Sequence, residues 1–328
     1  MFRRVNMISK NDFEMKQTIF VFTRNGDKIS FSNDNLIVKD NTDKIRFQAT
    51  CYRIFALFII GDITLTSGII SRSHKFGFPI VMMTTLLKVY DVIGHKTEGN
   101  YILRKLQYDY NDLDLAKHVI VNKICNQKDT LALQIAKDNQ LRADMSLLNT
   151  YAEKAASCTG DFRELMGIEG NASKIFFRSN FNSIQWVGRK PRVKCDIVNS
   201  TLDIGYTLIF NFVDSMLSLY GFDTYRGIYH REFYMRKSLA CDLMEPFRPL
   251  IDWQVRKAIN LGQCKAEDFN VIDGRYLLSI QNNQKYVSFL MKPILENKTA
   301  IFSYFQSYYR AFMKQKPVDR FPQFKLCD

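Results

Sequence analysis

The chain has 328 residues, 46% of them hydrophobic and 24% charged, a globular composition that excludes disordered and collagen-like chains and leaves room for two domains. Lys and Arg number 46 against 33 Asp and Glu, giving a formal charge of +13. That excess favours an anionic partner, nucleic acid above all, although a basic cytosolic protein without such a partner would carry the same charge.

The opening residues, MFRRVNMISKNDFE, contain charges and no apolar run, so they do not read as a secretory signal. From about Lys16 to Ile93 the pattern is short and strand-like. Asn25-Gly26-Asp27 predicts a hairpin between two strand-like runs in 18-TIFVFTRNGDKISFSNDNLIVKD-40. Further strands are expected in 44-KIRFQA-49, 62-DITLT-66 and 78-FPIVMM-83, whereas Cys51–Ile60 suits a strand or a short helix equally. His74-Lys75-Phe76-Gly77 reads as a helix end before a strand. The apolar run 54-IFALFII-60 falls far short of the ~20 residues a membrane span needs, and 208-LIFNFVDSMLSLYGF-222 is interrupted by Asn211 and Asp214.

After 94-GHKTEG-99 the period changes. The segment 101–139 has no Pro or Gly and places apolar residues three and four apart, and 141-LRADMSLLNTYAEKAASC-158 continues in helical style. The expected fold class is therefore α+β. Residues 1–95 form a β-rich N-terminal domain, and 96–328 form a larger all-α domain. Seven scattered cysteines without a C-x-x-C pair give no zinc-ribbon or thioredoxin-like signal and fit a reducing compartment. A cytoplasmic protein without a membrane span is the expectation.

Two stretches carry chemistry. In 162-FRELMGIEGNASKIFF-177, Phe162, Leu165, Glu169, Ala172 and Phe176 share one helical face, so a carboxylate sits in the middle of an apolar stripe. Such a residue either snorkels out at the stripe's edge, pairs with Lys or Arg, or serves a site. Gly167 and Gly170 favour the last, since glycine lets another group approach closely. In 226-RGIYHREFYMRKSLACDLMEPFRPLIDWQVRKAIN-260, an amphipathic pattern carries Asp242 and Glu245 three residues apart, on neighbouring positions of a helix face. Pro246 predicts a kink or break that aims Glu245, and His230 lies upstream. One imidazole with carboxylates suits Mn²⁺ or Mg²⁺. Lys174, Arg178, Arg231, Arg236, Lys237 and Arg248 surround these positions as candidate DNA-binding residues. Zinc-hydrolase, P-loop and nucleophile-elbow motifs are absent, and a metal of this type beside Arg and Lys points to phosphodiester chemistry.

These residues resemble a known family. L-M-G-I-E-G-N-A at 165–172 followed by Phe176-Phe177, the G-x-x-H block ending at His230, and 238-SLACDLMEPFRPLID-252 are similar, in order and spacing, to the three signatures of the CRISPR spacer-acquisition endonuclease/integrase, the number-one Cas protein family. The segments 100-NYILRKLQY-108 and 119-VIVNKICNQ-127 agree, so the resemblance runs from about Lys16 to Lys298. It implies a β-rich N-terminal domain that forms a homodimer and a helical catalytic domain. It also implies assembly with the small ferredoxin-like number-two Cas protein, and joining of the 3′-hydroxyl ends of a captured DNA duplex to the CRISPR repeat. The resemblance makes Glu169, His230 and Glu245 the metal ligands and catalytic residues, with Asp242 in support. A non-catalytic DNA-binding assembly subunit with a degenerate metal site is the alternative.

Departures are also legible. Phe176 stands where relatives often carry Tyr, and Leu87-Lys88 stands where a glycine-containing turn is common. The first 15 residues precede the usual start, with Met15 a candidate initiator. The aromatic, basic segment 299–317 reads as a final packed helix or as an added DNA or partner contact.

Overall fold

The computed structural model describes residues 9–24, 26–94, 100–135, 138–184, 186–230 and 235–326. It divides into two compact units, one of Met1–Asn100 with Ser215–Phe222 and one of Tyr101–Asp214 with Asp223–Asp328. The expected junction at 94–99 lies, from residue 95 on, outside the described residues.

The first unit opens with helix α1 (Lys10–Glu14), started by a capping box between Ser9 and Asp12. Strands β1 (Gln17–Phe22), β2 (Lys28–Ser32), β3 (Asn35–Lys39), β4 (Ile45–Thr50) and β5 (Ile54–Ile60) follow. Then come helix α2 (Ser67–Phe76) and strands β6 (Ile80–Met83) and β7 (Val89–Ile93). One sheet has the order β1-β5-β6-β7, parallel from β1 through β6 and antiparallel at β7; the other is the antiparallel meander β2-β3-β4. Strand β5 is buried along its whole length, as an unbroken apolar run requires at the centre of a parallel sheet. Its Leu57 and Ile59 meet Val21, Ile69, Phe78 and Ile80 in the core of this unit, where full burial of each such side chain contributes about 1.5–3 kcal/mol.

Three expectations change here. Gly26-Asp27 makes a turn, with Asp27 accepting from the Arg24 amide at 2.8 Å, but the strands on either side enter different sheets and no hairpin forms. The two-residue hairpin lies instead at Asn33-Asp34, between β2 and β3, where both residues have positive φ (48° and 59°). Residues 62–66 form no strand, only an isolated bridge from Thr64 to Lys28. The ambiguous Cys51–Ile60 resolves into a 3-10 turn over Cys51–Arg53 followed by β5. The helix-end signal holds, since α2 ends at Gly77 with φ 70°. Leu87 adopts φ 58° in the β6–β7 turn, the left-handed geometry that a glycine at that departure would meet without strain.

The second unit is helical. Helices α3 (Tyr101–Asp109), α4 (Asp114–Ala132), α5 (Asn139–Ala156) and α6 (Phe162–Asn180) lead into α7 (Ile197–Tyr220), whose residues from Ser215 on count with the first unit. Beyond it come α8 (Ser238–Leu243), a 3-10 turn over Glu245–Phe247, and α9 (Arg248–Asn260). A hairpin of β8 (Phe269–Ile272) and β9 (Arg275–Leu278) interrupts the helices, turning at Asp273-Gly274 with φ 50° and 70°. Helices α10 (Asn283–Glu296) and α11 (Lys298–Met313) complete the unit. The α+β reading stands, with this one hairpin added to the helical part. Segment 299–317 enters α11, whose Phe302, Tyr304, Phe305 and Tyr308 are buried. Helix α4 packs on α5, α6 and α9, and beside buried apolar residues such as Val119, Ile120 and Ile124 it buries a polar stripe: Asn122, Lys123, Asn126, Gln127 and Thr130. Asn122 holds the Phe324 amide and carbonyl, and His118 Nε2 lies 3.0 Å from the Pro322 carbonyl, so this face also seats the C-terminal residues. Among the described residues no helix is long and apolar enough to cross a membrane.

Candidate metal centre

Asp161 caps α6 through the Arg163 and Glu164 amides, and the helix buries Leu165, Ala172 and Phe176 as its stripe predicts. Glu169 therefore points toward α4 and meets Lys123, whose ammonium donates to Glu169 Oε1. Ser173, one turn further along α6, donates to the same oxygen at 2.9 Å. Of the three readings open to this carboxylate, pairing with a lysine is realised. A Cβ on Gly167 or Gly170 would meet nothing within 4 Å among the described residues, so no chain segment approaches there and the two glycines face open space.

Lys123 also reaches the second carboxylate. Helix α8 ends at Leu243, and Pro246 lies in the 3-10 turn that separates it from α9, as the Glu-Pro step predicts. Asn126 fixes this turn by donating to the Pro246 carbonyl at 2.8 Å. The break aims Glu245 inward, 2.7 Å from Lys123 Nζ through Oε2 and 3.0 Å from Arg248 Nη2 through Oε1. The lysine approaches Oε2 off the hydrogen-bonding direction, so this buried oxygen has no directed donor among the described residues. Asp242 does not share a face with Glu245 but turns away to the 226–230 loop.

There Asp242, fully buried, organises the G-x-x-H block. Its Oδ2 accepts from the amides of Ile228 (2.8 Å) and Tyr229 (2.9 Å). Its Oδ1 accepts from the His230 amide (3.0 Å) and lies 2.7 Å from His230 Nδ1. With Nδ1–H directed at a carboxylate, a neutral imidazole carries its free lone pair on Nε2. Gly227 is required by space: a Cβ there would lie 2.5 Å from the His230 carbonyl oxygen and 2.8 Å from Asp242 Oδ2. Gly227→Ala is accordingly expected to cost about 1–3 kcal/mol, the usual range for overpacking, and to lower the thermal midpoint of the second unit. An unchanged midpoint would show that the loop yields without loss.

The electrostatics follow from this packing. Burial opposes ionisation of Glu169, but the Lys123 charge, the hydrogen bonds from Lys123 and Ser173, and the Arg248 charge together hold its carboxyl down to about 2. Lys123 is raised: burial works against its charge, and Glu169 and Glu245 more than offset that. Tyr229, buried beside His230 with ring centroids 4.8 Å apart, is raised by burial and then by the charges of Glu169, Glu245 and Asp242, so its phenol stays protonated. Deeper in α9, Asp252 is pushed up to about 7 by burial, against the hydrogen bond from Tyr206 and the charges of Arg248, Lys123 and Arg189. A carboxyl raised from 3.8 to about 7 makes stability fall as pH rises from about 4 to about 7 and level off above. Asp252→Asn is expected to remove that fall, read by urea unfolding between pH 5 and 8. An identical slope in the variant would assign the fall elsewhere.

The structure thus gathers Glu169 and Glu245 around one ammonium and pairs His230 with Asp242. Among the described residues, no three His, Cys, Asp or Glu side chains stand close enough together to hold a metal ion. By residue type the donors suit one: two carboxylates share a cation, Glu245 Oε2 has no directed donor among the described residues, and an imidazole is held on Asp242 in the same unit, the mixed oxygen and nitrogen donors that Mn²⁺ or Mg²⁺ takes. The expected DNA-binding residues separate. Lys174 is exposed on α6, whereas Arg178 is tied to buried Asp144 (2.7 Å) and Lys237 to Asp214 (2.8 Å). Arg236 donates to Cys241 Sγ (3.4 Å), Arg248 lies on Glu245 and over the Tyr206 ring, and Arg231 is outside the described residues. Sequence reasoning gave no role to Lys123, Asn126 or Ser173. Their signal was a polar stripe, Lys123, Asn126, Gln127 and Thr130, at steps of three and four within an apolar helix.

A family model described as CRISPR associated protein Cas1 matches residues 20–292. Among curated relatives, CRISPR-associated endonuclease Cas1 1 of Thermodesulfovibrio yellowstonii is 28% identical over 275 residues, 79% of this chain and 86% of that protein. CRISPR-associated endonuclease Cas1 2 of Rhodospirillum rubrum is 27% identical over 297 residues, 84% of this chain and 85% of that one. A chain in a solved Cas6-RT-Cas1–Cas2 complex is 25% identical with a TM-score of 0.78, over 96% of this chain and 36% of its own length. A CAS1 protein from Thermotoga maritima shares the fold, with a TM-score of 0.79 at 16% identity, covering 95% of this chain and 100% of that one. The match of the family model over residues 20–292, most of the length, places this chain in the Cas1 family of CRISPR-associated proteins.

Proposed function

We propose that this chain is a metal-dependent DNA endonuclease and integrase of CRISPR adaptation. It would act in the cytoplasm of a prokaryote and join the 3′-hydroxyl ends of captured double-stranded DNA to the CRISPR repeat. The observation that carries this reading is the Glu169–Lys123–Glu245 cluster, two carboxylates kept on one cation in the unit where Asp242 orients His230. In that reading Glu169, His230 and Glu245 hold Mn²⁺ or Mg²⁺. Such an ion polarises a phosphoryl oxygen and makes a bound hydroxyl more acidic.

The chain's own groups supply position and charge. Lys123 and Ser173 keep Glu169 ionised, and Arg248 fixes Glu245. Asp242 holds the proton of His230 on Nδ1, leaving Nε2 as the ligand atom. Joining is a transesterification: the 3′-oxygen forms a bond to phosphorus as the repeat's own P–O3′ bond breaks, and the proton passes from the attacking to the leaving oxygen. One phosphodiester replaces another, so no nucleotide cofactor is required. Exposed Lys174 and the overall +13 charge support a DNA partner. The Cas1–Cas2 assembly of the 25%-identical solved chain supports a Cas2 partner. In the first unit, β4 is an edge strand with exposed Ile45 and Phe47, which supports a homodimer formed there.

One observation favours a second reading. An ammonium that already neutralises both carboxylates is what a degenerate, non-catalytic DNA-binding subunit would also carry. Integration of a short duplex into a repeat-bearing plasmid separates the two. Joining is expected with Mn²⁺ and is expected to vanish with EDTA, whereas duplex binding persists. Joining that continues undiminished in EDTA would reject the metal-dependent reading.

A further inference from the structure

We infer that Lys123 is a positioning residue that acts as a resident cation, competing with the divalent ion for Glu169 and Glu245. The inference rests on the proposal that these two carboxylates are metal ligands. Lys123 is buried on the inner face of α4, and its ammonium touches one oxygen of each carboxylate. Two carboxylates brought this close repel each other unless a positive charge stands between them. Lys123 supplies that charge from within the chain, and Asn126, one turn along the same helix, holds the backbone that carries Glu245. The geometry therefore assembles two of the three proposed ligands without an ion.

The same arrangement sets a cost on ion binding. An ion held by Glu169 and Glu245 would compete with Lys123 for the carboxylates it now contacts, through Oε1 of Glu169 and Oε2 of Glu245, so the ammonium would have to withdraw from at least one of them. Arg248, on the other oxygen of Glu245, need not move. A neutral side chain at position 123 removes the competitor and leaves two carboxylates facing each other. Such a variant gains affinity for the ion and loses stability without it. A lysine with a merely structural role predicts the opposite for the ion, because a loosened pair of ligands binds it less well.

The test is calorimetric titration of the full chain with MnCl₂, paired with thermal unfolding in EDTA. Lys123→Met is expected to bind Mn²⁺ about tenfold or more tighter than the parent, the effect of removing a unit charge beside the ligands, while unfolding at lower temperature in EDTA. Lys123→Gln is the second neutral variant should methionine not fold. Lys123→Arg keeps the charge and is expected to show no gain. Weaker or unchanged Mn²⁺ binding in both neutral variants, or an equal gain in Lys123→Arg, overturns the inference. Glu169→Gln separates this from the underlying reading. If the parent binds Mn²⁺ and Glu169→Gln binds it no more weakly, the carboxylates are not the ligands and the site assignment itself fails.

Discussion

Glu169→Ala is expected to lose strand joining by about three powers of ten or more. That is the equivalent of the several kcal/mol a metal centre contributes to a phosphoryl transition state. The fold should survive the change. Glu169 keeps 22% of its side chain exposed, and Lys123 retains Glu245 at 2.7 Å, so no buried charge is left without a partner. Duplex binding, which draws on the distributed basic surface, should fall far less than joining. Glu169→Gln refines the test by keeping size and the Ser173 contact while removing the charge. Joining within a few-fold of the parent in both variants would remove Glu169 from the reaction. Loss of binding and joining together would instead make it a residue of the DNA surface.

Asp242→Ala carries the largest expected effect on stability. Its carboxylate is fully buried and receives three backbone amides and the His230 ring. Alanine leaves all four donors without their acceptor, with the cost of unsatisfied buried groups and a broken buried pair, about 3–5 kcal/mol. Asp242→Asn restores one acceptor oxygen but turns an NH₂ toward amides that also donate, so it should recover only part of that loss. Because the carboxylate fixes the imidazole, Mn²⁺ affinity should also fall by about 10–100-fold in Asp242→Asn. Amide hydrogen exchange at residues 228–230 reads the local effect. Unaltered protection there would mean that the loop is held by something other than Asp242.

How much of this was legible in the sequence depends on the range of the interaction. The carboxylate in an apolar stripe, the helix break at Pro246 and the helix end at Gly77 are local patterns, and each appears where the residues place it. The first hairpin was misplaced because Asn25-Gly26 and Asn33-Asp34 carry similar turn chemistry. Only pairing partners distant in sequence decide which turn joins neighbouring strands: β1 pairs with β5, across the whole β2–β4 meander. The β8–β9 hairpin carried its own signal, Asp273-Gly274 between apolar residues, and was hidden by the helical period around it. At the site, spacing alone put Asp242 and Glu245 on one face. The 3-10 turn starting at Glu245 sends them to different partners, His230 and Lys123.

Lys123 shows why the remainder could not be read. A lysine within V-N-K-I-C-N-Q looks like a solvated helix residue until α4, α6 and the 3-10 turn at Glu245 fold together and leave its ammonium between two carboxylates. The polar stripe on α4 marks that face as unusual, but a stripe does not name its partners. Gly227 is the reverse case. Its place in the G-x-x-H block was visible, and the reason for it, an Asp242 oxygen where a Cβ would sit, emerges only in three dimensions.

Anomalous scattering from crystals of the full chain soaked in MnCl₂ tests the central claim most directly. Density bounded by the carboxylates of Glu169 and Glu245 and by His230 Nε2, with Lys123 drawn back from at least one carboxylate, is the predicted result. Density at some other place, or none at saturating Mn²⁺ with the lysine still bridging both carboxylates, would contradict it.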